Sequence, residues 1–375
     1  TVAQRIAASS NLLTSGEFDV DDAVIQDVVD RAKESFDKQY AGFQQQQKFP
    51  TPARWRFLLH EYRQSGDEEL GAMIIATLEA MQGGGIYDHI GGGFHRYTVD
   101  QNWTVPHFEK MLYDNGQLAG LFLEGGAVFN REDFTATGTD VLEFLMRDMR
   151  DSDGGFFASY DADSGGEEGT YYIWDESDIT DVVGADDGPA LADLLGITPE
   201  GNFEHTGKSV LTRRTDLEEV AKKRDVSPEE VALLFDRHRL ALRKVRDQRT
   251  PPGLDQKIVT SWNGLVVASL AQAYAVTGDK KFLKAAEKTV DYLLEHHRDD
   301  DGTLWRSTSD SRTSGKGILD DYAFLADALL ELYQVSGKTE HLQSARELVD
   351  YAREAFGREG GGFYLTAEGA DAPLG

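Results

Sequence analysis

The chain has 375 residues, 40% of them hydrophobic, a length that allows one or two domains with a substantial buried core. Its 66 acidic residues outnumber its 38 basic residues, which gives a formal net charge of −28. A field of that sign repels phosphate backbones, so nucleic acid is excluded as an expected partner. Cysteine is absent, which excludes disulfides, thiolate metal sites and thiol catalysis from this chain.

The acidic residues are spread along the whole sequence, a pattern typical of proteins that stay soluble in concentrated salt, and a halophilic source is expected. No run of about eighteen apolar residues and no charged-then-apolar leader occurs, so we expect a cytoplasmic protein without a membrane partner. The sequence opens on Thr1 and closes in AEGADAPLG, and we expect both ends to be cut from a longer protein.

Helical hairpins recur along the chain, and apolar residues three and four positions apart define their helices. Fainter copies come first, in FLLHEYRQSGDEEL and REDFTATGTDVLEFL. In the two clearest copies, Tyr274 and Gly278 of the first recur as Tyr333 and Gly337 of the second. Each copy reads as a helix, a glycine turn, a second helix and a glycine-rich stretch that ends in an aromatic residue.

Between about 161 and 260 the repeat gives way to an insertion, with a candidate β hairpin at GTYYIWDESDI and a candidate helix over about 228–246. About eleven helical segments are predicted in all. Six such hairpins would close into a ring, and an open superhelical solenoid is the alternative. Because the aromatic-ended loops can converge on one cavity, we favour an all-α (α/α)6 toroid, a single domain over residues 1–375.

Four long motifs carry a family resemblance: GGGIYDHIGGGFHRYTVDQNWTVPHFEKMLYDN, YDADSGGEEGTYYIW, KIVTSWNGLVVASLAQAY and LDDYAFLADALLEL. They resemble the YyaL and spermatogenesis-associated protein 20 family of thioredoxin-domain-containing proteins. The resemblance implies a six-hairpin, glycosidase-like toroid, here without its last element, and a thioredoxin-like domain that this chain lacks. That domain is the expected partner within the full-length protein. The family's GGFGxAPKFP reads AGFQQQQKFP here, which leaves open what that loop contacts.

The superfamily implies carbohydrate chemistry, either sugar epimerisation or glycoside hydrolysis, although a shared fold is a weak argument for function. If the first of the four motifs runs into a helix, His107, Lys110, Asp114 and Gln117 share one face of it. We interpret His107 and Asp114 as catalytic and the other two as ligand-binding. The alternative is a buried ion-pair network that holds the ring together.

His89 and His95 stand among glycines in the same motif, where a histidine could remove a proton next to a sugar carbonyl. The alternative for each is a ring that caps a turn or bonds a carbonyl group. The spacing of these two residues and His107 fits no compact zinc motif, so neither a metal nor a cofactor is predicted.

Asp161 and Asp163 are candidate catalytic carboxylates, with Glu168 as a ligand-binding neighbour, because a carboxyl pair can serve as general acid and base. A solvated acidic loop is the alternative. Trp103, Trp174 and Trp262 could stack on sugar rings or could simply pack in the core. The remaining predicted substrate-binding residues are Arg96, Asn263, Asp320, Asp321 and Tyr322.

Three functions are compatible with these patterns. The first is a sugar isomerase or epimerase that uses His and Asp acid–base groups, with a glycoside hydrolase as its neighbour. The second is a non-catalytic module that binds a ligand or client for the thioredoxin-like domain. The third is an assembly platform, which would expose an apolar patch and contain no deep cleft.

Overall fold

The computed structural model describes residues 22–43, 46–309 and 312–367. Gln44 and Gln45 of the AGFQQQQKFP departure, and both chain ends, lie outside the described residues. The helices in these ranges are α1 (Asp22–Glu34), α2 (Pro52–Ser65), α3 (Glu68–Gly83), α4 (Leu112–Phe129), α5 (Glu132–Asp148), α6 (Glu176–Val183), α7 (Gly188–Leu194), α8 (Leu217–Arg224), α9 (Pro228–Arg246), α10 (Thr260–Thr277), α11 (Lys280–His296), α12 (Leu319–Ser336) and α13 (Thr339–Phe356).

The strands are short and form four small antiparallel sheets. They are β1 (Tyr97–Thr98), β2 (Pro106–His107), β3 (Lys110–Met111), β4 (Ser159–Tyr160), β5 (Asp163–Ser164), β6 (Glu167–Glu168), β7 (Leu254–Asp255), β8 (Ile258–Val259), β9 (Trp305–Ser309) and β10 (Arg312–Lys316). The sheet orders are β1-β2, β3-β4-β7, β5-β6 and β10-β9-β8. Within the described ranges, no helix has the length and apolar character needed to cross a bilayer.

Four helical hairpins form the main body of the described structure: α2 with α3, α4 with α5, α10 with α11, and α12 with α13. The first helix of each hairpin belongs to an inner row. Arg56 of α2 pairs with Glu124 of α4, and a buried hydrogen bond joins Ser261 of α10 to Asp321 of α12. The hydroxyl of Ser269 in α10 donates to the carbonyl oxygen of Gly116 in α4 at 2.6 Å, so α2, α4, α10 and α12 lie side by side in that order.

The sequence pattern explains which helices are inner and which are outer. Helix α10 buries residues on nearly all sides, including Val266, Val267 and Leu270, as expected for a helix surrounded by others. Helix α11 instead buries a single stripe that contains Phe282 and Val290, and it turns its charged residues outward. Inner and outer helices therefore alternate along these hairpins.

The loops that follow the outer helices repeat as well. The amide nitrogens of Phe157, Trp305 and Tyr364 each donate a hydrogen bond to the carbonyl oxygen eight residues earlier, and each N–O distance is 2.8 Å. Helices α10 and α12 end at Gly278 and Gly337, both in the left-handed conformation that glycine adopts without strain. These shared details confirm the repeat at the level of single hydrogen bonds.

The insertion contains α6 to α9 around its own apolar cluster, which includes Trp174, Leu191 and Phe235. Helix α9 spans Pro228–Arg246, as predicted. The β hairpin predicted at GTYYIWDESDI is wrong, because α6 begins there at Glu176 and Trp174 makes only an isolated bridge with Ser209. The hairpin found in the insertion is β5 with β6, just before that stretch, and Gly165 and Gly166 form its turn with positive φ angles. The predicted count of about eleven helices falls below the thirteen described.

Candidate functional site

The loop before α4 ends in an extended segment rather than in a helix. Tyr97 of β1 pairs with His107, and Lys110 of β3 pairs with Tyr160. Helix α4 begins only at Leu112, so the predicted helical face shared by His107, Lys110, Asp114 and Gln117 is wrong. Successive residues of an extended segment point to opposite sides, so His107 and Lys110, three positions apart, face different ways. This explains why His107 is half-buried and Lys110 is fully buried.

A chain of polar contacts runs across the N-terminal end of α4. The Nδ1 atom of His107 lies 2.7 Å from a carboxylate oxygen of Glu168, and its Nε2 atom lies 3.3 Å from Glu109. The same oxygen of Glu109 accepts a hydrogen bond from Arg96 at 2.8 Å. The His107 ring is therefore held between the carboxylates of Glu168 and Glu109, and Glu109 also pairs with the Arg96 guanidinium.

Asp114 lies in the first turn of α4, beside this chain of contacts. No hydrogen bond to its carboxylate is found within the described ranges. Burial raises the pKa of Asp114 from 3.8 to about 7, and the nearby Arg96 cation only partly opposes this effect. Near neutral pH a large fraction of this carboxyl group is therefore protonated, and it can donate a proton.

Aromatic rings surround these polar groups. Tyr113 meets Trp262 of α10 edge to face, with ring centroids 4.9 Å apart. Tyr97 stacks on the His107 ring on one side and on Phe49 on the other, at 5.2 and 4.8 Å. The mouth cluster, as we name this group, consists of Arg96, Tyr97, His107, Glu109, Tyr113, Asp114, Glu168 and Trp262. Gln117, one turn further along α4, donates to the carbonyl oxygen of Tyr113.

The predicted bases His89 and His95 lie in the interior. The Nε2 atom of His89 is 2.9 Å from the carbonyl oxygen of Gly84, and Nδ1 of His95 is 2.9 Å from that of Phe108. Burial is the main cause that lowers the pKa of each ring to about 3. Both rings thus adopt the carbonyl-bonded arrangement considered as their alternative, and no described contact joins either to a mouth-cluster side chain.

Lys110 likewise points away from the mouth. Its Nζ atom donates to Asp88 and to the carbonyl oxygen of Gly92, each at 2.7 Å. Asp88 also accepts two hydrogen bonds from Arg246 of α9. Burial lowers the pKa of Lys110 to about 8, although Asp88 opposes the shift. This network corresponds to the buried ion-pair alternative, and it ties the loop before α4 to the insertion.

The predicted carboxylate pair lies at the surface. Asp161 and Asp163 are both exposed, and Oδ1 of Asp161 accepts a hydrogen bond from the amide of Asp163 at 3.3 Å. This is the geometry of a solvated turn. Glu168, on the other strand of the same hairpin, reaches back to His107 and therefore belongs to the mouth cluster.

Two of the three predicted tryptophan platforms are core residues. Trp103 is buried, and its Nε1 atom donates to the carbonyl oxygen of Tyr40. Trp174 is fully buried in the insertion, where the guanidinium of Arg249 lies 4.0 Å from its ring. Only Trp262 remains half-buried beside the mouth cluster.

Asn263 and Tyr322 hold loops in place rather than forming a ligand-binding wall. Asn263, the fourth residue of α10, binds both the amide and the carbonyl group of buried Phe156. Asn115, the fourth residue of α4, binds Phe94 in the same way, and the Tyr322 hydroxyl accepts from the amide of Leu304. The fourth residue of an inner helix is thus a repeated clamp on a preceding loop.

The two acidic residues that open α12 differ in their surroundings. Asp321 is fully buried and accepts hydrogen bonds from the amides of Ser261 and Ile318. Burial raises the pKa of Asp321 above its usual 3.8. Asp320 is half-buried and has no described partner, so it stays available to a ligand.

The sequence reasoning missed Phe49, Tyr97, Glu109 and Tyr113. Glu109 could have been found from the period of two in an extended segment, which puts it on the same side as His107. Tyr113 directly precedes Asp114. Phe49 and Tyr97 carry no sequence signal of their own, because they meet only in the folded chain. Within the described ranges no group of three or more His, Asp or Glu side chains is arranged to hold a metal ion.

These features define the class of the protein as an all-α toroid of the six-hairpin glycosidase type, with four hairpins inside the described residues. A family 76 glycoside hydrolase (mannosidase) from Bacteroides thetaiotaomicron shares this fold at a TM-score of 0.51 and 9% identity, over 86% of this chain and 64% of that chain. A second family 76 glycoside hydrolase, from a bovine strain of the same species, also gives 0.51, at 11% identity over 87% and 52%.

The chain belongs to the family of spermatogenesis-associated protein 20, as its motifs predict. The human protein of that name is 34% identical over 381 residues, which are 91% of this chain and 48% of the human protein. An uncharacterized protein of Caenorhabditis elegans is 33% identical over 97% of this chain and 54% of its own length. This chain thus spans about half the length of the curated relatives it matches. No model of a known protein family matches it.

Proposed function

We propose that the mouth cluster is the acid–base site of an enzyme that isomerises or epimerises a sugar. The observation that carries the proposal is the half-buried Asp114 carboxyl group, whose pKa of about 7 lets it act as an acid near neutral pH. A carboxyl group of ordinary pKa would be ionised there and could not donate. The absence of any described hydrogen bond to Asp114 leaves its proton free for a substrate.

The second group of the proposed mechanism is His107. Glu168 orients the ring through Nδ1, as carboxylates orient catalytic histidines in other enzymes. The Nε2 atom of the neutral ring turns from Glu109 to the substrate and removes a proton from the carbon next to the sugar carbonyl. The electron pair of that C–H bond forms a carbon–carbon double bond, and the π pair of the carbonyl group moves onto its oxygen. The Arg96 guanidinium stabilises the resulting enediolate. Asp114 then returns a proton to carbon from the other face, which inverts that centre.

The aromatic rings provide the binding surface for such a substrate. Both faces of Tyr97 are covered, by His107 and by Phe49, so the exposed Phe49 ring offers the free face on this side, and Trp262 lies next to Tyr113 on the other. The apolar faces of sugar rings stack on such side chains. Phe49 belongs to the AGFQQQQKFP loop, so we infer that this loop contributes to substrate binding.

A hydrogen-exchange assay in D2O tests the proposed reaction. The protein is incubated with a panel of reducing sugars, and NMR follows deuterium incorporation and the appearance of epimers. We expect deuterium at the inverted carbon with the wild-type protein and at least a hundredfold slower turnover with Asp114→Asn. Asp186→Asn is the matched control, because Asp186 is an exposed aspartate of the insertion, outside the mouth cluster.

Glycoside hydrolysis is the second candidate. In that reaction the same neutral Asp114 protonates the leaving group, and Glu109 is the second, ionised carboxylate that a glycosidase requires. In the D2O assay a hydrolase would release a new reducing end without deuterium on carbon. Binding of sugars with no turnover in either assay would favour a non-catalytic module that serves the thioredoxin-like domain. An absence of both turnover and binding would reject the carbohydrate proposals.

A further inference from the structure

A cavity lies between α3, α5 and α9, and none of its lining residues belongs to the mouth cluster. Its volume is about 500 Å³. Its walls come from the hairpin helices on one side and from the insertion on the other. The residues that matter below are Arg213, His89, Phe235, Asp140 and Asp236.

The guanidinium of Arg213 lines this cavity and forms no hydrogen bond or ion pair with the described residues. Its one described side-chain contact is with the Phe235 ring, whose centroid is 4.5 Å away. Asp140, a carboxylate in the same wall, is already bonded to Arg239 and to the Tyr87 hydroxyl. Asp236 also faces the cavity, and it attracts the Arg213 guanidinium from beyond ion-pair distance. Because no described carboxylate forms an ion pair with Arg213, its guanidinium can bind an external anion directly.

The carboxylates further along the wall are also paired. Glu79 and Asp133 both bind Arg131, at 2.7 Å each. Arg131 compensates one of these two negative charges, so this part of the wall keeps one net negative charge. The attraction for an anion is therefore local to Arg213.

His89 lines the same cavity with a free hydrogen-bond acceptor. The ring is only 4% exposed, and its Nε2 atom is bonded to the carbonyl oxygen of Gly84. A carbonyl oxygen accepts and never donates, so Nε2 carries the hydrogen and Nδ1 presents a lone pair. Nδ1 has no partner among the described residues. A hydroxyl group of a ligand would satisfy it.

We propose that this cavity binds a small hydroxylated anion, such as a sugar acid or a sugar phosphate. Arg213 binds the anionic group, and Nδ1 of His89 accepts a hydrogen bond from a hydroxyl group. The Phe235 ring supplies an apolar face beside them. The volume accommodates a monosaccharide with its charged substituent. This site is separate from the mouth cluster and does not depend on the proposed isomerase activity.

Titration calorimetry with chemically matched probes tests the proposal. The probes are glucuronate, glucose 6-phosphate, neutral glucose, inorganic phosphate and cyclohexanecarboxylate. We expect at least one of the two acidic sugars to bind about tenfold more tightly than glucose, inorganic phosphate and cyclohexanecarboxylate. The stronger of the two acidic sugars identifies the anionic group. Equal affinity for glucose, or no binding of either acidic sugar, would overturn the proposal.

Variants then locate the bound ligand. Arg213→Gln is expected to weaken binding of the acidic sugar about ten- to a hundredfold. Arg237→Gln is the matched control, because Arg237 is an exposed arginine of α9 outside the cavity lining. Asp114→Asn is expected to leave this affinity unchanged, which separates the site from the mouth cluster. Unchanged affinity in a folded Arg213→Gln variant, or an equal loss in the control, would contradict the assignment.

Discussion

At the scale of single residues, two aspartates of this protein have pKa values shifted in opposite directions. Burial raises the pKa of the half-buried Asp114, whereas the cations of Arg246 and Lys110 hold the pKa of the more deeply buried Asp88 well below its usual range. The first group is therefore suited to proton transfer and the second to holding the structure together. Local surroundings, and not residue type, separate the two roles.

The free energy of unfolding should depend on pH through the raised pKa of Asp114. Between pH 4 and pH 7 the folded state keeps this carboxyl group largely protonated while the unfolded chain ionises it, so folding takes up a proton. The contribution of Asp114 to stability therefore falls as pH rises through this window. We expect Asp114→Asn to match the wild type near pH 4 and to be about 1 to 3 kcal/mol more stable at pH 8, by urea unfolding. A constant difference across this range would argue against a raised pKa.

The rate of catalysis should also depend on the protonation of Asp114. Because Asp114 acts as an acid, the rate should fall as this group ionises, whereas a base becomes active when it loses its proton. Turnover that needs protonated Asp114 is lost as pH rises through about 7. We expect the basic limb of the pH–rate profile of kcat to lie there and to depend on Asp114. A profile that keeps rising above pH 8 would exclude this residue as the acid.

Asp88 is expected to be essential for stability. Asp88→Asn leaves Lys110 and Arg246 buried without their carboxylate, which should cost about 3 to 5 kcal/mol in thermal or urea unfolding. Asp186→Asn, an exposed acidic position in the insertion, is the control and should change stability by less than about 0.5 kcal/mol. A loss of similar size in both variants would contradict the special role of the network.

At the scale of elements, the repeat is built from helices together with their loops. In two copies an asparagine at the fourth position of an inner helix satisfies both backbone groups of a buried phenylalanine. Buried backbone groups without partners are costly, so these clamps fix where each glycine-rich loop lies. The loops in turn carry the side chains that reach the mouth cluster.

Removing a clamp should destabilise the hairpin that it closes. Asn263→Ala leaves the amide and carbonyl groups of Phe156 unpaired, and we expect a loss of about 2 to 4 kcal/mol in the free energy of unfolding. Asn102→Ala, at an exposed loop position, should have little effect. Equal stability of the two variants would show that the clamp is dispensable.

The helices could be predicted from sequence because each pattern is local. Apolar spacing located α9 at 228–246, and the recurrence of Gly278 as Gly337 gave the hairpin turns. The extended segment around His107 and Lys110 could not be separated from the helix after it. Its pairing partners, Tyr97 and Tyr160, come from other parts of the chain, and such pairing overrides local periodicity.

At the scale of the whole molecule, the inner row of helices brings loops from distant parts of the sequence to one end. The mouth cluster and its border draw on residues from loops and helices along much of the chain. They include Phe49, Arg96, Asp114, Glu168 and Trp262. Sequence reasoning found Arg96, His107, Asp114, Glu168 and Trp262 of this cluster. It could not distinguish them from His89, Trp174 or Asn263, because burial is a property of the folded chain.

The measurement that bears most directly on the mouth cluster is the titration of Asp114 itself. Carbon-13 NMR of the side-chain carboxyl groups, with Asp114→Asn to assign the resonance, gives the pKa of this one group in the folded protein. We expect a titration near pH 7, against about 3.8 for an ordinary aspartate. A midpoint near 4 would mean that Asp114 is ionised at neutral pH, and it would contradict the proposed role as the proton donor.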